Sequence, residues 1–277
     1  MALPDVHANG AQLPAIGLGT AWLEGRTCTE AVAAALQAGA RLIDTAARYG
    51  NEQAVGEGLR ASGLPRRDMF VATKVYWTDL APKDVLASVE GSLKRLGLSE
   101  VDLLLIHWPN PKIPLADTIP AFNAAKRSGL ARNIGVANFT TRLLDEAAAA
   151  SEEPLAVNQC EYHPYLDQSK LLLACRKHGL AFMSYSPLRQ AGPDSPLTDP
   201  VVVDIAKAKA VTPAQVVLRW HVQQGVIPLP RSSSPARVKL NARLDDFALD
   251  AHEMAAISAL SRPDGRKVRP PHAPEWD

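Results

Sequence analysis

The feature that most constrains this chain is a repeated unit. A short, continuous apolar run is followed by a longer stretch with apolar residues at helical spacing, then often by a glycine. The apolar runs are Ala15-Ile-Gly-Leu-Gly-Thr20, Leu42-Ile-Asp44, Met69-Phe-Val-Ala-Thr-Lys74, Val101-Asp-Leu-Leu-Leu-Ile-His107, Asn133-Ile-Gly-Val-Ala-Asn138, Leu155-Ala-Val-Asn-Gln159, Ala181-Phe-Met-Ser-Tyr185 and Gly225-Val-Ile227. Between them, Pro82 opens a stretch in which Val85, Val89, Leu93 and Leu96 fit a 3.6-residue period until Gly97. Further helices are expected over 115–128, 141–150, 169–178, 198–209 and 213–224. Thr27-Cys-Thr-Glu30 reads as a capping box opening the first helix, with Val32, Ala35 and Leu36 on one face. Uninterrupted apolar strands alternating with amphipathic helices imply a parallel sheet buried on both faces. Eight such units is the number that closes a (β/α)8 barrel. A doubly wound open sheet is the alternative. The expected fold is therefore α/β, a single TIM-barrel domain over residues 1–277. An N-terminal β-hairpin turning at Asn9-Gly10, between Val6 and Leu13, precedes it, and the Pro-rich tail from Arg262 to Asp277 is irregular.

Charge narrows the partners. A formal net charge of +1 gives no electrostatic reason to expect nucleic acid or an anionic membrane, so a small molecule is the expected partner. Cys28, Cys160 and Cys175 are odd in number and widely spaced, which argues against a disulfide framework. The opening residues lack the basic and apolar regions of a signal peptide, and no apolar run is long enough to span a bilayer. A cytoplasmic monomer is the expectation.

The chemistry gathers at the C-terminal ends of the expected strands, where barrels of this type place their sites. Asp44, Lys74 and His107 each stand at such an end, and Tyr49 follows just beyond one. Each has a bland explanation by itself: a turn cap, a snorkelling lysine, a satisfied buried imidazole, a packed ring. Together at one rim they form a proton-handling set. Asp44 holds the Lys74 ammonium charged and in place, Lys74 is expected to lower the Tyr49 pKa, and His107 hydrogen-bonds a substrate oxygen. Such a set protonates an oxygen as negative charge builds on it, as carbonyl reduction requires. The histidines have no zinc spacing, so no metal is expected, and neither a G-x-S-x-G elbow nor a G-x-G-x-x-G fingerprint is present.

These residues resemble the aldo-keto reductases. The resemblance runs through Asn9-Gly10, Gly17-Leu-Gly-Thr20, Asp44-Thr-Ala…Tyr49-Gly-Asn-Glu52, Lys74 and Val101-Asp-Leu-Leu-Leu-Ile-His-Trp-Pro109. It continues through Gly135-Val-Ala-Asn-Phe139, Asn158-Gln159, Tyr185-Ser-Pro-Leu188 and Pro230-Arg-Ser-Ser-Ser-Pro-Ala-Arg237…Asn241. Length and the closing Ala273-Pro-Glu-Trp-Asp277 look most like bacterial 2,5-diketo-D-gluconate reductases of the methylglyoxal-reducing type. The resemblance implies an NADPH-dependent enzyme reducing small aldehydes or ketones, with Tyr49 as proton donor. It implies cofactor contacts at Gly19, Thr20, Asn138, Gln159, Tyr185, Ser186, Leu188, Arg231, Ser232, Ser233, Arg237 and Asn241. Asn138 and Gln159 would meet the nicotinamide carboxamide, and Tyr185 would stack on its ring. Ser234-Pro235 independently reads as the start of a short helix to about Asn241, whose N-terminus, flanked by Arg231 and Arg237, suits a ribose 2′-phosphate. A charged surface turn is the alternative there. Trp22, Tyr76 and Trp108 are the expected substrate contacts, whereas Trp77 is expected in the core.

Some positions depart from the family pattern: Ala137 in place of a serine, Arg189 where glycine is usual, and Leu240 in place of an acidic residue. Two other functions stay open, a non-catalytic nucleotide-sensing or structural barrel and a reductase of sugar aldehydes or bulky ketones.

Overall fold

The structure, a computed structural model, describes residues 3–189, 192 and 194–277. It begins with the expected hairpin. Asn9 and Gly10 take φ angles of 46° and 86°, the left-handed backbone that a two-residue turn needs. Strands β1 (Val6–Ala8) and β2 (Ala11–Leu13) pair antiparallel around it. The Asn9 amide donates to the carbonyls of Leu155 and His178, at 2.7 and 2.9 Å. This pins the hairpin across the N-terminal end of the barrel.

Eight parallel strands follow: β3 (Gly17–Gly19), β4 (Leu42–Asp44), β5 (Phe70–Val75), β6 (Val101–Ile106), β7 (Ala131–Ala137), β8 (Leu155–Glu161), β9 (Ala181–Tyr185) and β10 (Val226–Leu229). Each pairs with its neighbours in chain order. The Gly19 amide donates to the Pro230 carbonyl at 3.1 Å, which joins the first strand to the last and brings the sheet to a ring. The open-sheet alternative is excluded by that contact.

Ten helices lie outside the strands: α1 (Gly25–Gln37), α2 (Glu52–Ala61), α3 (Pro82–Leu96), α4 (Leu115–Arg127), α5 (Thr141–Ala150), α6 (Ser169–Lys177), α7 (Pro200–Ala208), α8 (Pro213–Gln223), α9 (Pro235–Asn241) and α10 (Ala251–Ser258) among the described residues. The capping box expected at Thr27 is not formed. Helix α1 begins at Gly25, and its N-cap Glu24 makes no side-chain bond. Glu30 is instead held by Arg26 at 2.6 Å, one turn earlier, so it cannot reach back to cap the chain. Helix α10 lies in a stretch with no sequence expectation. Its start was readable, because Asp250 and Glu253 form a complete capping box.

Burial on both faces sorts the strand residues into two cores. In β6, Leu103 and Leu105 point into the barrel, where they meet Leu42, Ala72, Val157, Met183, Ile227 and the hairpin's Leu13. Val101, Leu104 and Ile106 point outward against the helices. This two-sided burial is why the strands read as continuous apolar runs rather than alternating ones. Gly135 marks a register shift between β7 and β8, where a Cβ would lie 2.6 Å from the Val157 carbonyl oxygen.

The irregular tail after α10 runs across the C-terminal ends of the strands. Buried Glu161 accepts hydrogen bonds from the Lys267 and Val268 amides at 3.0 and 2.9 Å. At the far end, the Asp277 side chain accepts from the Thr141 amide and hydroxyl at the start of α5, at 2.9 and 2.6 Å. The three cysteines are buried free thiols. No helix among the described residues is long and apolar enough to cross a membrane.

Candidate active site

Asp44 ends β4, Lys74 is next to last in β5, and His107 follows β6, so successive strands deliver three groups to one rim. A single 3₁₀ turn over Ala47–Tyr49 returns Tyr49 to the same place. The Lys74 ammonium donates to the Asp44 carboxylate at 2.7 Å and to the Thr45 carbonyl at 2.8 Å, and lies 3.5 Å from the Tyr49 hydroxyl. The Gln159 amide donates to the other Asp44 oxygen at 2.9 Å. The His107 ring meets Tyr49 edge-on, with centroids 5.6 Å apart. Its Nδ1 is buried without a partner among the described residues.

The Lys74 side chain is wholly enclosed, so its charge depends on these contacts. Burial works to lower its pKa, but Asp44 and then Tyr49 outweigh that, and the net direction is up. Tyr49 behaves differently from the expectation. Burial pushes its hydroxyl above the ordinary phenol range, the Lys74 charge pulls it back only in part, and Asp44 adds to the rise. Desolvation of a would-be phenolate therefore exceeds the help its neighbours give, and Tyr49 is protonated at neutral pH. Burial also holds the His107 imidazole well below its usual range, assisted by the charges of Lys74, His272 and Arg48. The result is a neutral imidazole beside a protonated phenol that touches a buried ammonium. Such a group can give a proton to an oxygen that is gaining negative charge.

The expected cofactor residues fall on two sides of the mouth. Asn138 donates to the His107 carbonyl at 2.9 Å and accepts from the Tyr185 hydroxyl at 2.8 Å, tying β7 to β9. Thr20 is buried, with its hydroxyl on the Asp44 carbonyl at 3.0 Å, and Gly19 makes the closing bond of the ring. Ser186 is exposed and Leu188 packs on the outer core. At the other side, Ser234 caps α9 by accepting from the Arg237 amide at 3.4 Å, with Pro235 in the first turn as expected. The Ser232 hydroxyl accepts from the Ser234 amide, while Ser233 and Arg237 are exposed. Arg231 reaches the Ala21 carbonyl at 3.0 Å. Asn241, the last residue of α9, is buried, and Leu240 is exposed. Arg189 stands at φ 55°, which explains why glycine is suited to that position; it is held by Asp194 at 2.8 Å and by the Tyr165 ring.

The substrate wall is aromatic. Trp22 is 69% exposed at the rim, 6.5 Å from the Tyr49 ring. Tyr76 and Trp108 are joined there by two side chains the sequence reading had not singled out, both from the tail. His272 meets Tyr76 and Trp108 edge-on, at 5.8 and 5.4 Å, and Trp276 meets Trp108 at 6.3 Å. Trp77, expected in the core, is only half-buried and carries the stacked His272 ring at 4.7 Å. Its indole packs partly on the outer core, with the tail's His272 stacked on the ring and part of the side chain left exposed. An irregular segment has no periodicity to announce such contacts, and the closing Ala273-Pro-Glu-Trp-Asp277 carried a resemblance without saying where Trp276 would pack.

Residues 15–262 match the aldo/keto reductase family. An aldo-keto reductase of Mycolicibacterium vanbaalenii is 44% identical over 271 residues, covering 97% of this chain and 95% of that one. A 2,5-diketo-D-gluconic acid reductase B of Corynebacterium sp. is 42% identical over 262 residues, 94% of each chain. The crystal structure of a Bombyx mori aldo-keto reductase in complex with NADP superposes with a TM-score of 0.90 at 32% identity, covering 98% of this chain and 96% of that one.

Proposed function

The chain belongs to the aldo/keto reductase family, and on that premise we propose that it reduces the carbonyl group of small aldehydes or ketones to alcohols, with NADPH as reductant and Tyr49 as proton donor. The observation that carries this reading is the Tyr49 hydroxyl 3.5 Å from a Lys74 ammonium that is itself 2.7 Å from Asp44. The donor set suits the cofactor. Asn138, Gln159 and the Tyr185 ring lie beside the proton-handling groups, and Ser232, Ser233, Arg231 and Arg237 surround the first turn of α9. Two guanidinium groups and the hydroxyl of Ser233, exposed together around one short turn, fit a ribose 2′-phosphate better than a bare hydroxyl. When bound, NADPH supplies the hydride.

The chain's own residues do the rest. His107, neutral, directs the substrate carbonyl oxygen toward Tyr49. As charge builds on that oxygen, the Tyr49 proton moves to it, and the Lys74 ammonium stabilises the phenolate left behind. Asp44 and Gln159 keep Lys74 from turning away. The aromatic wall of Trp22, Tyr76, Trp108, His272 and Trp276 excludes water. Small dicarbonyls such as methylglyoxal or 2,5-diketo-D-gluconate are the substrates this reading favours; the Corynebacterium relative's name supports the latter.

Tyr49→Phe is the test. NADPH consumption with methylglyoxal should fall by roughly 10²–10⁴, while NADPH binding, followed by fluorescence titration, persists. Substantial turnover in the variant would remove Tyr49 from the role proposed for it.

A further inference from the structure

Arg48 is the middle residue of the turn that presents Tyr49. It is exposed, and its guanidinium lies over the Tyr76 ring, 5.5 Å from the centroid. That ring in turn meets His107 at 5.7 Å and His272 at 5.8 Å. Arg48 therefore faces the mouth rather than the outer helices.

What it lacks is a counter-charge. Arg48 forms no hydrogen bond or ion pair with any described residue. The carboxylates placed by neighbouring strand ends and loops are already engaged. Asp44 is held by Lys74 and Gln159, Glu161 by His163 and the tail amides, and Asp79 by the Thr78 hydroxyl. An arginine laid on an aromatic face has lost rotamer freedom, and its forked donors match a carboxylate in two places. The Tyr76 ring beneath Arg48 is the ring that meets His107 at 5.7 Å, so a group held at Arg48 and a carbonyl held beside His107 are within the span of one short molecule.

We propose that Arg48 is a specificity-determining residue that selects carbonyl substrates bearing a carboxylate, holding that group at the rim while the carbonyl lies between Tyr49 and His107. The inference rests on the reductase reading and divides its substrates: those with a carboxylate, as diketogluconate has, are favoured over neutral ones such as methylglyoxal, and Arg48 is the residue that tells them apart. A neutral carbonyl compound of the same length enters the same pocket without the anchoring ion pair. Arg48 takes no part in proton or hydride transfer, so its contribution falls on substrate binding.

The test compares succinic semialdehyde with its methyl ester, which differ in the charge at one end. Steady-state NADPH consumption is measured with the full-length wild type, Arg48→Gln and Arg48→Lys. In Arg48→Gln the acid-to-ester ratio of kcat/KM should fall about tenfold, as for loss of one charged hydrogen bond, through a higher KM for the acid. Arg48→Lys should recover most of the ratio, and added salt should narrow it in the wild type but not in Arg48→Gln. An unchanged ratio in Arg48→Gln, or a fall carried by kcat for both compounds alike, overturns the assignment of Arg48 while the reductase reading stands. A wild-type protein that consumes NADPH with methylglyoxal but with neither of these compounds overturns the oxo-acid assignment alone, and one that consumes it with none of the three overturns the reductase reading itself.

Discussion

The Lys74–Asp44 pair is the residue-scale feature on which the site turns. A lysine with no exposed side-chain surface is tolerated because a carboxylate, a carbonyl and a phenol surround its three protons. Asp44→Asn keeps the shape and removes the charge, leaving a buried ammonium without its counter-ion. Urea denaturation should show a loss of roughly 3–5 kcal/mol, and turnover should fall with it. The four residues of this cluster were each visible in the sequence, because strand ends are predictable where strands are. The rise in the Tyr49 pKa was not. It depends on how much water the surrounding side chains exclude, which no spacing of residues conveys.

At the scale of elements, the tail departs most from what the chain announced. Its residues follow no period, yet they supply His272 and Trp276 to the mouth. The clamp is Glu161 at the end of β8, which accepts from Lys267, Val268 and the His163 ring. Burial opposes its charge, but these donors hold its carboxyl below the ordinary glutamate range. Glu161→Ala should release the segment from 262 to 277 while the barrel stays folded. Hydrogen exchange should then rise in that segment alone, and exchange spreading evenly through the strands would refute a local clamp. Helix α10 was missed for a different reason. Its capping box is plain, but it is only eight residues long and lies beyond the last expected barrel unit.

The whole molecule is a ring buried on both faces, so polar groups inside it must be satisfied or neutral. His221 is an example: it lies wholly in the interior, its two ring nitrogens face the Val217 and Tyr162 carbonyl oxygens at 2.8 and 3.2 Å, a neutral imidazole donates to one of them, and burial lowers its pKa from 6.5 to about 4. His107 shifts in the same direction. The sign follows directly. Below the unfolded-state value of 6.5 the unfolded chain binds protons that the folded chain refuses, so stability declines as pH falls from there to about 4. His221 alone accounts for a loss on the order of 3 kcal/mol across that window. Denaturation free energies at pH 7 and pH 4.5 would measure it, and His221→Gln should flatten the slope; an equal slope in the variant would rule out His221 as its source.

The sequence by itself determined the architecture and the placing of three strand-end groups with Tyr49 just beyond one of them. Both follow from the pattern along the chain: eight apolar runs, the helices between them, and polar residues where most of the runs stop. Tertiary structure alone decided how the ring's mouth is finished. The tail over Trp77, the guanidinium of Arg48 on the Tyr76 ring and the burial that raises the Tyr49 pKa arise from contacts between residues far apart in sequence or irregular in backbone. Their partners are chosen by packing in three dimensions, and packing leaves no repeat to read.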